Sequence, residues 1–64
     1  MEVEVEVDGR RYVAEVHEVD GVVTVMTDAG GKEMTSLGGS NVESLGRTLL
    51  RRLVKAGKAS PETA

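Results

Sequence analysis

Two Asp-Gly dipeptides, Asp8-Gly9 and Asp20-Gly21, constrain this chain more than any other feature. Each stands between runs rich in β-branched residues: "EVEVEV" before the first, "RRYVAEVHEV" between them and "VVTV" after the second. A two-residue Asp-Gly loop in such a setting is the strongest short-range hairpin signal, because both loop positions need positive φ and the flanking strands need an apolar face. If each dipeptide is the whole loop, Val7 faces Arg10, which sets Val5 opposite Tyr12 and Val3 opposite Ala14. The second loop sets Val19 against Val22, and hence Val16 against Val25. The two registers are independent, yet both place Tyr12, Ala14 and Val16 on one face with Val3, Val5, Val7, Val23 and Val25. A three-stranded antiparallel meander follows, with residues 10–19 as its middle strand.

Gly30-Gly31 turns the chain again, and Lys32 to Leu37 can form a fourth strand whose register depends on loop length. A two-residue loop would face Met34 to the core, and a three-residue loop would face Leu37 there. Ser40 then opens a helix: in Ser40-Asn41-Val42-Glu43 the serine hydroxyl can accept from a first-turn amide while Glu43 reaches back to the Ser40 amide. At about 100° per residue, Val42, Leu45, Leu49, Leu53 and Ala56 form one apolar stripe, with Gly46 inside it and Leu50 on its border. Glycine within a helix costs about 1 kcal/mol relative to alanine, so Gly46 predicts a close approach of the helix to the strands. Gly57 is placed to end the helix, with Pro61 beyond it. The expected fold is α+β: a three- or four-stranded antiparallel meander with one C-terminal amphipathic helix packed on one face. Residues 1–58 form the single domain and 59–64 a flexible tail.

A chain of 64 residues buries only roughly 60% of its unfolded surface, so its stability is marginal without help. It has no cysteine for a disulfide or a thiolate metal site, which leaves self-association as the remaining device. No segment is apolar enough for a signal peptide or a membrane span, and a cytoplasmic location is the expectation. Tyr12 is the sole aromatic residue. The core must therefore be built from Val, Leu, Met and Ala, and the stacking platforms used by most single-strand and RNA binders are missing.

The net charge of −3 conceals a split. Residues 1–39 hold nine acidic residues against Arg10, Arg11 and Lys32, whereas residues 40–58 hold Glu43 against Arg47, Arg51, Arg52, Lys55 and Lys58. Arg47, Arg51, Lys55 and Lys58 lie together opposite the apolar helical stripe, with Arg52 at its flank. Such a ridge suits phosphates or an acidic partner. It is equally what a solvated helix face requires, with cations complementing the dipole at the C-terminal end.

On the sheet face away from the helix, Glu2, Glu4 and Glu6 join Glu15 and His17. Carboxylates with one histidine can hold a divalent cation or move protons, but these lack metal-ligand spacing and a pocket. A Glu ladder on an edge strand also discourages pairing with other chains, and Glu6 opposite Arg11 is an ordinary cross-strand pair. The same face carries Val13, Val19, Val22 and Met26, more apolar surface than a small monomer needs, and these are the candidate self-association residues. "LGGSN" sets Gly38 and Gly39 just before a helix N-terminus, where free amides can bind an anion. It lacks the spacing and lysine of a phosphate-binding loop and serves equally as a tight strand-to-helix connection. With no cysteine, one histidine and no Ser or Asp placed by any motif to act with it, the chain offers no catalytic residues.

The order "DGVVTV", "LGGS", "ESLGRTLLRRLV", over Asp20 to Val54, resembles a group of short bacterial proteins of unknown function that share a Val-rich strand, an LGG turn and an LLR-type helix. That resemblance covers about half the chain and implies no activity, cofactor or site. The β-β-β-α order is also similar to the integrase arm-binding and plant AP2 DNA-binding modules, which lay a three-stranded sheet in the major groove. Here that sheet face carries Glu2, Glu4, Glu6 and Glu15, which repel a polyanion. The expectation is a non-enzymatic interaction module without cofactor or metal that self-associates as a homodimer or meets a protein partner. The alternatives are a nucleic-acid binder using the helix ridge, and an accessory protein for a small anion or a metal.

Overall fold

A computed structural model describes residues 1–62 of the chain. Four strands, β1 (Glu2–Val7), β2 (Arg10–Val19), β3 (Val22–Met26) and β4 (Lys32–Ser36), are followed by one helix, α1 (Val42–Lys55). The strands lie in sequence order in a single antiparallel sheet, and α1 crosses all four on one face. Both Asp-Gly loops have the backbone that the sequence demands: φ is 53° at Asp8, 76° at Gly9, 50° at Asp20 and 79° at Gly21. These positive pairs define type I′ turns, whose twist matches that of the strands. The registers are those expected, with Val5 opposite Tyr12 and Val16 opposite Val25.

The fourth strand exists, and the third loop is the longer of the two possibilities. The Thr27 N–H donates to the Gly31 carbonyl at 2.9 Å, closing a three-residue loop of Asp28, Ala29 and Gly30, with φ of 87° at Gly30. Leu37 therefore packs against the core and Met34 points to the outer face, 57% exposed. Gly31 has its own role, because a Cβ there would run into the Lys58 carbonyl just beyond the helix. The Thr27 hydroxyl joins the two segments, accepting from the Gly31 N–H at 2.9 Å and donating to the Lys58 carbonyl at 2.6 Å.

The helix starts one residue later than the capping box predicts. Asn41 is the N-cap, its side chain accepting from the Ser44 N–H at 2.8 Å. The Ser40 N–H, to which Glu43 would reach back in the capping box, instead closes a turn onto the Leu37 carbonyl at 3.1 Å. Glu43, freed from any box, pairs with Arg47 one turn on. At the other end Gly57, with φ of 74°, gives its N–H to Val54, and Lys58 gives its own to Leu53. These two bonds satisfy carbonyls that every helix end leaves open.

The core is Val3, Val5, Tyr12, Ala14, Val16, Val23 and Val25 from the sheet against Leu49, Leu50 and Leu53 from the helix. Leu50, expected at the border of the stripe, is fully buried, whereas Ala56 caps the helix and is exposed. Gly46 accounts for the first difference. It is buried against the sheet, and a Cβ there would lie 2.9 Å from Val16 Cγ2 and 3.3 Å from Val3 Cγ1. The helix therefore sinks onto β1 and β2 and carries Leu50 in with it. Of the segment read as a tail, the described part runs back to the sheet: Ala59 packs on the core and the Glu62 N–H donates to the Arg11 carbonyl at 2.7 Å. Among the described residues no helix is long and apolar enough to cross a membrane.

The close approach makes a prediction. Helix propensity alone would favour Gly46→Ala by about 1 kcal/mol, but the clash with two stiff valines should reverse the sign, with a net loss of roughly 1–2 kcal/mol in urea unfolding. Adding Val16→Ala should reveal a coupling of about 1 kcal/mol in a double-mutant cycle. Additive effects would mean that the helix does not meet the sheet there.

Candidate interaction surfaces

Two exposed surfaces carry the candidate residues, one on each layer. On the sheet, side-chain alternation sends Glu2, Glu4 and Glu6 of β1 to the outer face, with Arg11, Val13, Glu15, His17 and Val19 of β2. Val22, Thr24 and Met26 of β3 and Lys32, Met34 and Ser36 of β4 complete it. The ladder divides this face into two halves. Toward the first hairpin lie Glu6 opposite Arg11, Glu4 opposite Val13, and Glu2 opposite Glu15. Toward the second lie Val19 opposite Val22, His17 opposite Thr24, and Thr24 opposite Met34.

The apolar members are open to solvent: Val19 is 67% exposed, and Val22 and Met26 are each 39% exposed. Val13 is half-buried. Met34 belongs with them, because Thr24 faces Met34 in the ladder and both Val22 and Met26 are then its diagonal neighbours. Diagonal Cβ atoms on a sheet are about 7–8 Å apart, within reach of methionine's flexible chain. Sequence reasoning missed Met34 because its orientation depends on the length of the third loop.

The acidic half is partly neutralised from within. The Arg11 guanidinium lies 3.2 Å from the Glu4 carboxylate, a diagonal partner, although Glu6 is the residue directly opposite. The side chain that reaches across is long and prefers the diagonal, where its aliphatic stem follows the strand. Glu15 sits 3.4 Å from the amino group of Met1. A depression of about 120 Å³ is lined by Glu2, Glu15, Asp28 and Glu62 with Val13, Ala14 and Met26. Among the described residues no group of three or more histidine and carboxylate side chains is placed to hold a metal ion.

On the helix layer Arg47, Arg51, Arg52, Lys55 and Lys58 are all exposed. Arg47 is tied to Glu43, an i,i+4 pair worth a few tenths of a kcal/mol. Among the described residues no carboxylate lies within ion-pair distance of Arg51, Lys55 or Lys58. Two amides at the start of the helix are already engaged: the Ser40 N–H donates to the Leu37 carbonyl and the Ser44 N–H to the Asn41 side chain.

Comparison with protein-family models, with curated proteins and with solved structures finds no match to this chain.

Since the ridge projects into solvent, neutralising it should not harm the fold. Arg51→Gln and Lys58→Gln should each change the unfolding free energy by about 0.5 kcal/mol or less. Leu50→Ala, one residue from Arg51 but fully buried, should cost about 2–5 kcal/mol. Comparable losses at positions 50 and 51 in thermal or urea unfolding would show that the ridge is structural.

Proposed function

We propose that this chain is a small non-enzymatic interaction module that associates with a second copy of itself through the outer face of its sheet. The observation that carries the reading is the exposed apolar half of that face, where Val19, Val22, Met26 and Met34 lie together with no layer over them. A domain of this size gains much from covering such a surface. The placement of charge favours a second copy as the cover. A two-fold axis lying in the interface, parallel to the sheet and passing over Thr24, would lay apolar half on apolar half and carry the two Glu-rich halves to opposite ends.

A second reading rests on the ridge. Arg51, Lys55 and Lys58 are exposed without acidic partners among the described residues, and such a face attracts a polyanion in a salt-dependent way. It ranks below self-association because three or four cations without aromatic residues offer a backbone contact and no reading of bases.

Sedimentation equilibrium over a concentration series, at low and high salt, tests both. Self-association through the apolar face should persist at high salt, and Val22→Lys or Met26→Lys should weaken it by tenfold or more, on the order of the loss expected for burying an unpaired charge. A monomer at every concentration would end the first reading. If labelled duplex DNA or RNA binds with an affinity that falls steeply with salt and is lost on reversing Arg51, Lys55 and Lys58 to Glu, the second reading replaces it.

A further inference from the structure

We infer that the free edge of β4 is a second self-association site, at which two copies pair antiparallel about Met34 and join their sheets into one of eight strands. This goes beyond the outer-face contact and does not depend on it. Its basis is which backbone groups each edge leaves open and what a two-fold axis would set side by side.

An antiparallel ladder alternates residues that bond to the neighbouring strand with residues whose N–H and C=O point away. On β4 the phase is set at both ends. The Thr27 N–H bonds the Gly31 carbonyl at 2.9 Å, and the Leu37 N–H bonds the Gly21 carbonyl at 2.7 Å. The odd-numbered residues of β4 therefore face β3, and Lys32, Met34 and Ser36 turn their backbone groups to the free edge. On β1 the Val16 N–H bonds the Met1 carbonyl at 2.7 Å, so odd residues again face inward and Glu2, Glu4 and Glu6 line the other free edge.

The two edges differ in what self-pairing would do. Two β1 strands paired about Glu4 set Glu4 against Glu4 and Glu2 against Glu6, a row of like charges directly opposite one another, which is destabilising. Two β4 strands paired about Met34 set Met34 against Met34, Lys32 against Ser36, and Glu33 against Thr35. No like charges face each other, and every outward N–H and C=O of Lys32, Met34 and Ser36 finds a partner. The strand holds no proline or bulge that would block this. The part of the chain beyond the helix covers β2 instead, through Glu62 on Arg11. Met34 is also the member of the apolar half nearest that edge, so pairing would bring the apolar halves of two copies together as one surface.

Residues opposite each other in a hydrogen-bonded pair have Cα atoms about 5.5 Å apart, within the roughly 4.4–6.8 Å that a disulfide spans. The chain has no cysteine, so single substitutions report cleanly. In a dilute thiol–disulfide buffer, Met34→Cys should form a disulfide-linked dimer at least about tenfold faster than Glu4→Cys on the opposite edge. It should do so equally when Val22→Lys disables the outer-face contact. Met34→Pro removes only an N–H without a partner in the monomer, as tolerated on a strand edge. It should keep the circular dichroism of the wild type and weaken edge pairing by roughly tenfold or more, through the two symmetric bonds lost. Cross-linking at position 34 no faster than at position 4 overturns the inference. So does cross-linking at 34 that Val22→Lys abolishes, which would place the thiols in the face-to-face dimer. Efficient cross-linking at 34 with no effect of Val22→Lys on assembly in sedimentation would uphold the edge and remove the outer-face reading.

Discussion

A core without Phe or Trp must be thin, and the contact between α1 and the sheet is organised around that constraint. Five valines, one alanine, one tyrosine and three leucines cannot fill the usual gap between a helix and a sheet unless the two backbones draw together. Gly46 lets them do so against Val3 and Val16, and Gly31 does the same where the third loop meets the carbonyl beyond the helix. Both glycines thus sit at the two ends of one interface. Between them Leu49, Leu50 and Leu53 meet the valines that the two I′ turns have already lined up on one face. The turns decide which side chains face inward, and the close approach turns that pattern into a packed layer.

The division between what sequence reasoning reaches and what it misses follows the range of the interactions concerned. The first three strands and their registers are legible because an Asp-Gly loop and a period of two act over a few residues. The solvent-facing ridge is legible for the same reason, from a helical period. Where two local solutions compete, the outcome turns on distant atoms. Gly30-Gly31 permits two loop lengths, and the longer one brings Gly31 under the Lys58 carbonyl, a contact between segments far apart in the chain. Ser40 and Asn41 are both competent caps, and it is Asn41 that caps the helix while the Ser40 N–H turns back to Leu37. Met34 escaped the list of surface residues only because its direction depended on that third loop.

Charge and apolarity are segregated by layer and by half-layer. Five of the eight Lys and Arg residues lie on or just beyond the helix, Glu2, Glu4, Glu6 and Glu15 crowd the outer face of the first hairpin, and apolar side chains occupy the outer side of the second. The first two hairpins of the meander thus present different surface chemistries, although β2 belongs to both. A mixed surface would serve solubility as well, and the separation here gives each half of the sheet a different affinity for neighbours.

β2 and β3 are the strands with a neighbour on both edges, and β3 lies between β2 and β4 along its whole length. Along β2, β1 lines one edge, while on the other β3 takes the second half and the Glu62 N–H reaches the Arg11 carbonyl of the first half. Among the described residues the outward amides of β1 and β4 have no such cover. Opening of the native state is then graded across the sheet: the amides of Glu4 and Met34 exchange with solvent by local fluctuation, and those by which β2 and β3 bond each other require the sheet itself to part. The second hairpin is thus the slow spine of the domain, with the first and fourth strands as its more open margins.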